Sequence, residues 1–410
     1  MARSASRSGR RRTPDPRPST GGDRSLLRRI NAAAALSRIR QGPATVAQVA
    51  DAVGVSRTAA QQIVDELVGL RWVSEDGSAG NTPPRIGPAP RYYRFRAEAG
   101  YVAGVDIGRH RVSTKLADLS GAVVAAASRP VAIDAPVAAR FDAVRDLVES
   151  CLTRARVRSS QLWTLAVGSR GVVHDGRVIY VGEFPGWSGI NLVDTVSEMF
   201  DRPVVADNDC NLAAMAEHWA GAAKDVDDVV CIEVGRAIGA GVMIGGRVLH
   251  GFGGYAGELH HLPFNGWLHA AEHLDADPRH ASDIKAVFDA AREGDAVAAS
   301  AVDKYSRVLA EGIATICAVV DPQLVVLGGA VSESGDTLLE PVRRHLEQFT
   351  ARMPRIQLST LGADAVALGA VRAALDHVDT LVTAATDRRG DLPPPQRRVI
   401  QPRAQQRRGA

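Results

Sequence analysis

Apolar and polar positions change period several times along the chain, and each change marks an element. Between residues 24 and 40, Leu26, Leu27, Ile30 and Ala34 recur at helical spacing, and Gly42-Pro43 ends the run. Thr45 then caps a short helix carrying Val46, Val49 and Ala50, and Val53-Gly54-Val55 makes a tight turn. Ser56 is placed to cap a third helix reaching about Leu70, with Ala59/Ala60, Ile63, Leu67 and Leu70 inward and Arg57, Thr58, Gln61 and Gln62 outward. Trp72-Val73 begins a strand, residues 75–90 are rich in Gly, Pro, Ser and Asn, and Arg91-Tyr92-Tyr93-Arg94-Phe95 alternates back as a hairpin.

From residue 101 the pattern changes to short, almost wholly apolar strands. Tyr101 to Val105 closes in the turn Asp106-Ile107-Gly108, Val112 to Leu119 alternates, and Val123 to Ala127 returns after Gly121. Phe141, Val144, Val148 and Cys151 mark a helix face, and Leu165 to Gly168 is a buried strand leading into Ser169-Arg170-Gly171. A second strand, glycine turn and returning strand follow at Val229–Val234, Gly235–Gly241 and Val242–Ile244. A strand, a glycine turn and a return therefore occur twice, a repeat of architecture rather than of sequence, as in two α/β lobes facing a cleft. Long helices are expected over residues 297–320 and 364–376.

Composition adds an electrical asymmetry. The 410 residues allow two or three domains, and 45% hydrophobic content suits a globular chain. The net charge of +3 is unevenly spread. Residues 1–22 carry six arginines against one aspartate, residues 23–98 eleven arginines against seven acids, and residues 386–410 seven arginines against two aspartates, which leaves residues 99–385 at −11. An acidic body behind a basic front points to a polyanion at the front only. Residues 1–22 are too polar to fold alone and are expected as a disordered basic arm, with 386–410 as a disordered tail. No apolar run reaches membrane-span length and the 4 cysteines form no CxxC pair, so a reduced, cytoplasmic protein is expected.

Two stretches carry candidate chemistry. Residues 45–70 have the spacing of a helix-turn-helix, and Ser56, Arg57, Thr58, Gln61 and Gln62 bring side chains that read base edges, with Arg85 and Arg91 of the wing placed for phosphates. A helical packing module with a solvated face has the same spacing; the local basic charge and the wing favour double-stranded DNA. The second stretch, Val204 to Leu212, is an apolar run, the polar turn Asp207-Asn208-Asp209, then a helix. A carboxylate beside amides at a strand end suits a polyhydroxylated ligand, and the carboxylate is able to take a proton from a hydroxyl. An Asx-rich helix cap, needing only one of these residues, is the plainer alternative.

Taken together, the motifs resemble the ROK family (repressors, open reading frames and sugar kinases), in its repressor branch with an N-terminal winged helix. The matching signatures are Asn208-Asp209 before a helix, Gly257-Glu258-Leu259-His260-His261, Phe184-Pro185-Gly186-Trp187 with Asn191-Leu192, and Asp321-Pro322 ahead of Val325-Val326-Leu327-Gly328-Gly329. The resemblance implies an α/β fold: a winged helix-turn-helix over 23–98, then a two-lobed actin-like domain over 99–380, with 99–206 plus the C-terminal helix as the small lobe and 207–363 as the large one. It implies sugar contacts from Asn208, Asp209, Glu258 and His261, with Ser169 and Gly171 lining the pocket and Asp209 at the position of the kinases' base. An internal salt link near a turn is the plainer reading of Glu258 and His261.

The departures decide the expected activity. The kinases' first turn, DxGxT, here reads Asp106-Ile107-Gly108-Arg109-His110, and their GTGxGxG turn reads Gly235-Arg236-Ala237-Ile238-Gly239-Ala240-Gly241. A Cβ blocks close approach of a phosphate to backbone, so weak or absent ATP binding, no ATP cofactor, no catalytic residue and no kinase activity are expected; an alternative use of the replaced positions is that Arg109 or Arg236 pairs with an anion such as a phosphate on the effector. The family's cysteine-bearing zinc loop is absent after His261, so no metal is expected; the spacing from Asn265-Gly266 puts Glu272 at the sugar-contacting glutamate, with an exposed helix carboxylate as the alternative. The expectation is a DNA-binding repressor, as a homodimer or homotetramer, answering to a sugar or sugar-phosphate effector without a membrane partner. The alternatives are an active sugar kinase joined to a DNA-binding domain and a regulator that has lost its ligand.

Overall fold

The computed structural model describes residues 21–76, 90–182, 184, 186–262, 266–275, 279 and 283–385. The arm before residue 21, the tail after 385, and Arg85 in the hairpin tip lie outside them. The chain divides into two compact units, with the boundary between Phe95 and Arg96.

The first unit is α1 (Gly21–Arg40), β1 (Ala44–Thr45), α2 (Val46–Val53), α3 (Arg57–Gly69), β2 (Val73–Asp76) and β3 (Tyr92–Phe95). The local signals act as their chemistry requires. Thr45 and Gln48 form a reciprocal capping box on α2, Gly54 takes the left-handed conformation after it (φ 74), and the Ser56 hydroxyl accepts from the Ala59 amide at the head of α3. β3 pairs antiparallel with both β1 and β2, which makes a three-stranded sheet. The core uses Ala60, Ile63, Val64 and Leu67 of α3 with Val49 and Ala50 of α2. In α1 the buried face is Ala32, Ala35, Leu36 and Ile39, whereas Leu27, Ile30 and Ala34 are exposed. The helix is rotated from the face that the larger side chains suggested: both stripes have helical spacing, and packing against α2 and α3 uses the alanine-rich one, which permits close approach.

The second unit opens with β4 (Tyr101–Ile107), β5 (Arg111–Asp118), β6 (Val123–Pro130), α4 (Val137–Ala155), β7 (Leu162–Ser169), the hairpin β8 (Val172–His174) and β9 (Arg177–Tyr180), α5 (Leu192–Phe200), β10 (Val204–Asn208) and α6 (Asp209–Ala220). It continues with β11 (Val229–Glu233), β12 (Gly239–Ile244), β13 (Arg247–Val248), α7 (Ile284–Arg292), α8 (Ala296–Val320), β14 (Leu324–Gly328), α9 (Asp336–Phe349), β15 (Arg355–Leu358) and α10 (Ala365–Ala385). Its two five-stranded sheets run β10-β7-β4-β5-β6 and β15-β14-β11-β12-β13. In both, the third strand is parallel to the second and antiparallel to the fourth. The repeat seen along the chain is thus a repeat of topology, and the central strands are nearly all apolar because helices cover both faces.

α4 covers the outer face of the first sheet and α7, α8 and α9 that of the second. α6 and α10 fill the space between the sheets, and glycines set how closely they lie. A Cβ on Gly239 would stand 2.5 Å from Cys210 Sγ, on Gly241 2.1 Å from the Cys210 carbonyl oxygen, on Gly369 1.7 Å from the Leu212 carbonyl oxygen, and on Gly168 2.9 Å from Leu212 Cδ1. The first turn of α6 therefore touches both sheets and α10 at backbone distance. Among the described residues no helix is long and apolar enough to cross a membrane.

These contacts predict a sharp contrast between glycines. Gly241→Ala and Gly369→Ala are expected to lose at least about 3 kcal/mol, because the obstructing atoms are backbone. Gly245→Ala, left-handed at φ 57 but facing open space, is expected to lose only about 1 kcal/mol. Urea midpoints at constant m-value measure the difference.

Candidate functional site

Strand register brings the polar turns together. Ile107 of β4 and Asn208 of β10 both pair with Ser169 of β7, so three parallel strands end side by side, and their next residues form the turns at 108, 170 and 209. In the second sheet, Glu233 at the end of β11 pairs with Gly328 and Gly239. Strand ends of this kind are where α/β folds bind ligands.

Asn208 is the N-cap of α6. Its Oδ1 accepts from the amides of Cys210 (2.8 Å) and Asn211 (3.1 Å), and its Nδ2 donates to the Gly171 carbonyl (2.9 Å). The capping alternative therefore describes Asn208 itself, and one Nδ2 hydrogen remains for a ligand. Asp207 accepts from the Asn208 amide and from Asn211 Nδ2, and its other oxygen lies 2.7 Å from His250 Nε2. That leaves Asp209 as the carboxylate of the turn that faces other acids.

Three further carboxylates feel its charge, which makes a group of four. Burial and then Asp209 push Asp106 up to about 7, opposed by Arg111, by the Ser113 hydroxyl that donates to it, and by Arg170. Burial, Asp209, Asp106 and Glu217 push Glu233 up to about 8, and burial and Asp209 push Glu258 up to about 7. Asp209 is itself raised by burial, against the pull of Arg170 and of the Cys210 amide. Arg170 thus opposes all four. A group holding some of its protons near neutral pH offers both donors and acceptors, which is what a ring of hydroxyls needs. Among the described residues no group of three or more His, Cys, Asp or Glu is arranged to hold a metal ion.

The two glycine turns are held by side chains. Arg140 on α4, fully buried, donates to the carbonyls of Gly108 (2.9 Å), Arg109 (3.2 Å), Ala132 (3.0 Å) and Ile133 (3.1 Å), and its guanidinium lies 4.4 Å from the centre of the Phe184 ring. Phe184 meets Trp187 edge to face, and Trp187 Nε1 donates to Ser169 Oγ at 2.8 Å. In the second turn, Tyr305 donates to the Gly235 carbonyl at 2.8 Å, and Arg236 makes a two-pronged ion pair with Asp275 at 2.8 and 2.6 Å. Arg236 is thereby corrected from a partner for an effector's anion to one half of an internal pair. Of the three glycines that survive in this turn, Gly239 and Gly241 lie against Cys210.

The remaining expected residues fall as follows. The Ser169 hydroxyl is fully buried, accepting from Trp187 and donating to the Arg170 carbonyl. Gly171 is left-handed (φ 87), and a Cβ there would meet the Tyr180 carbonyl oxygen at 2.3 Å. Glu258 pairs with His260 at 3.2 Å; the side chain of His261 lies outside the described ones. Glu272 is exposed and pairs with His269 (2.7 Å) rather than with the four acids. On the first unit, Arg57, Thr58 and Gln62 are exposed on the N-terminal half of α3, while Gln61 is half-buried and donates to Asp65. Arg91 is exposed, 3.4 Å from Glu75.

Sequence reasoning passed over Glu233, Arg170, Arg140 and the Asp207–His250 pair. Glu233 had a faint signal, an acid closing an apolar strand before a glycine turn. Arg140 had none, since its carbonyl partners lie 7 to 32 residues away.

Known proteins fit this geometry. The ROK family profile matches residues 102–273 and 268–377. A glucokinase of Halalkalibacterium halodurans is 30% identical over 309 residues, covering 66% of this chain and 93% of its own. The xylose repressor of Bacillus subtilis is 24% identical over 383 residues, covering 88% and 99%. A solved ROK family glucokinase from Streptomyces griseus, in complex with glucose and AMPPNP, aligns with a TM-score of 0.59 at 25% identity over 68% of this chain and all of that one. A ROK family transcriptional regulator, a homolog of the E. coli MLC protein, aligns at 0.69 over 88% of this chain and 99% of that one, a likeness of fold at 19% identity.

The raised acids give a pH prediction. A carboxyl whose folded pKa is above its unfolded value favours the fold while protonated, and this stabilisation is lost as pH rises from about 4.5 through about 8 for Glu233. Glu233→Gln, which cannot ionise, is expected to raise the urea midpoint over wild type at pH 9, with the advantage shrinking toward zero near pH 5. An advantage of equal size at both would show that Glu233 is not held protonated.

Proposed function

The chain belongs to the ROK family, and from that premise we propose that it is a sugar-responsive transcription regulator rather than a sugar kinase. The observation that carries this is the length of the repressor match: 88% of the chain is too much to fit within the second unit, whereas the glucokinase match, at 66%, is not. The first unit supports it with a capped α3 that exposes Arg57, Thr58 and Gln62 together, side chains suited to base edges in a major groove. Its hairpin supplies Arg91 for the phosphate backbone.

The second unit serves as the sensor. A sugar seated at Asp209 and Glu258 bonds to both sheets' turns, and its hydroxyls replace the water that the partly buried acids would otherwise hold. Asp209 occupies the position of the kinases' base, but the phosphate side of the cleft opposes a triphosphate. Glu233 is an acid there, Arg236 is engaged by Asp275, and Arg140 fixes the first turn. Ligand occupancy shifts the lobes between two states with different affinities, and that difference is the whole of the coupling to DNA. A homodimer reading a two-fold operator converts lobe closure into half-site spacing.

A duplex selected by the full chain from random sequence provides the probe. D-xylose, D-glucose or a related sugar is expected to change its affinity about 5- to 150-fold, and Asp209→Asn to abolish that response without altering DNA affinity in the sugar's absence. Arg57→Ala is expected to cost about 1–3 kcal/mol of specific binding. Steady turnover of ATP with any of these sugars in a coupled assay would overturn the non-enzymatic reading.

A further inference from the structure

Residues 249–258 form a strap that touches both sheets. His250 follows β13 of the second sheet, and its Nε2 lies 2.7 Å from Oδ2 of Asp207 on β10 of the first. Midway, Gly254 lies so near β8 that a Cβ would stand 2.5 Å from the Val173 carbonyl oxygen. At the far end Gly257 presses on β12, where a Cβ would stand 2.2 Å from the Ala240 carbonyl oxygen, and Glu258 follows. The strap is therefore fastened to the second sheet beside Glu258 and to the first beside Asn208 and Asp209.

We propose that His250 is a positioning residue for ligand recognition: its pairing with Asp207 fastens the strap that bears Glu258 to the strand that bears Asn208 and Asp209, and so sets how tightly the cleft holds a sugar. This rests on the reading of the cleft as a sugar site. A ligand bonded to both Asp209 and Glu258 needs the strap and the α6 cap at one fixed separation. Asp207 is well placed to hold it, with one oxygen already fixed by the Asn208 amide (2.7 Å) and Asn211 Nδ2 (2.9 Å) and its side chain only 16% exposed. The hydrogen bond and charge of Asp207 raise the His250 pKa, while burial opposes them. A charged imidazolium holds the carboxylate more strongly than a neutral ring does. Proton and sugar then favour the same fastened state, and each strengthens the binding of the other. The charge-assisted fastening is complete below the ordinary histidine pKa and is lost as pH rises through the raised one.

Asp106, Glu233 and Glu258 titrate in a similar range, so affinity against pH alone does not isolate His250. The test follows the His250 Cε1–H resonance in the full chain, labelled with 13C-histidine, through a pH titration with and without D-xylose, D-glucose and sucrose. His250 in the free protein is expected to titrate above an ordinary histidine, and Asp207→Asn to return it there. A sugar that binds is expected to raise the midpoint further, with about tenfold weaker binding above the titration for each unit of that rise. His250→Gln should remove that part of the pH dependence and leave the rest. A wild-type midpoint at the ordinary value, or one unmoved by a sugar shown to bind, would overturn the proposal. If no sugar binds at any pH, the ligand reading of the cleft falls and the role of His250 in recognition with it, while a raised midpoint in the free protein still reports the ion pair itself.

Discussion

The close approach of the first turn of α6 to its surroundings is the constraint on which the rest of the second unit depends. Cys210 and Leu212 are met by glycines from three directions: Gly239 and Gly241 on β12, Gly168 on β7 and Gly369 on α10. Because the obstructing atoms are largely backbone, the helix has almost no freedom to shift. Asn208 and Asp209, at its head, are fixed where the ends of β4, β7 and β10 meet the turn after β11. A cap that satisfies two orphan amides elsewhere in a protein would be a local matter; here it places a carboxylate between two sheets.

That placement has an electrostatic consequence. Asp106, Asp209, Glu233 and Glu258 arrive from four different elements, and Arg170 is the cation that acts on all of them. Partial burial disfavours the charged forms and mutual repulsion adds to it, so protons are retained toward neutral pH. Stability is consequently linked to pH, since the group is least comfortable when fully ionised.

The cleft also illustrates how side chains of the chain itself hold the two glycine turns. The second turn retains Gly235, Gly239 and Gly241, and the last two are also the ones that α6 needs. Gly239 and Gly241 lie against Cys210, while Arg236 and Ala237 interrupt the turn where close backbone approach would matter to an anion. Tyr305 and Asp275 then hold that turn, and Arg140 holds the other.

Much of the architecture was legible in the chain itself. Thr45, Ser56 and Asn208 announced their helices because capping chemistry is local, the double strand-turn-strand pattern announced two like sheets because buried parallel strands must be apolar throughout, and Asp209 and Glu258 stood in recognisable motifs. Other features required the tertiary structure. Helical spacing allowed two faces for α1, and only packing chose Ala32, Ala35, Leu36 and Ile39 over Leu27 and Ile30. Arg236 met Asp275 across 39 residues, and Arg140 met carbonyls up to 32 residues away. Periodicity and capping are properties of neighbours in sequence, which the chain states directly. Ion pairs, burial and the proton affinities that follow depend on which distant segments share a dielectric environment, and that is decided only when the sheets close on α6.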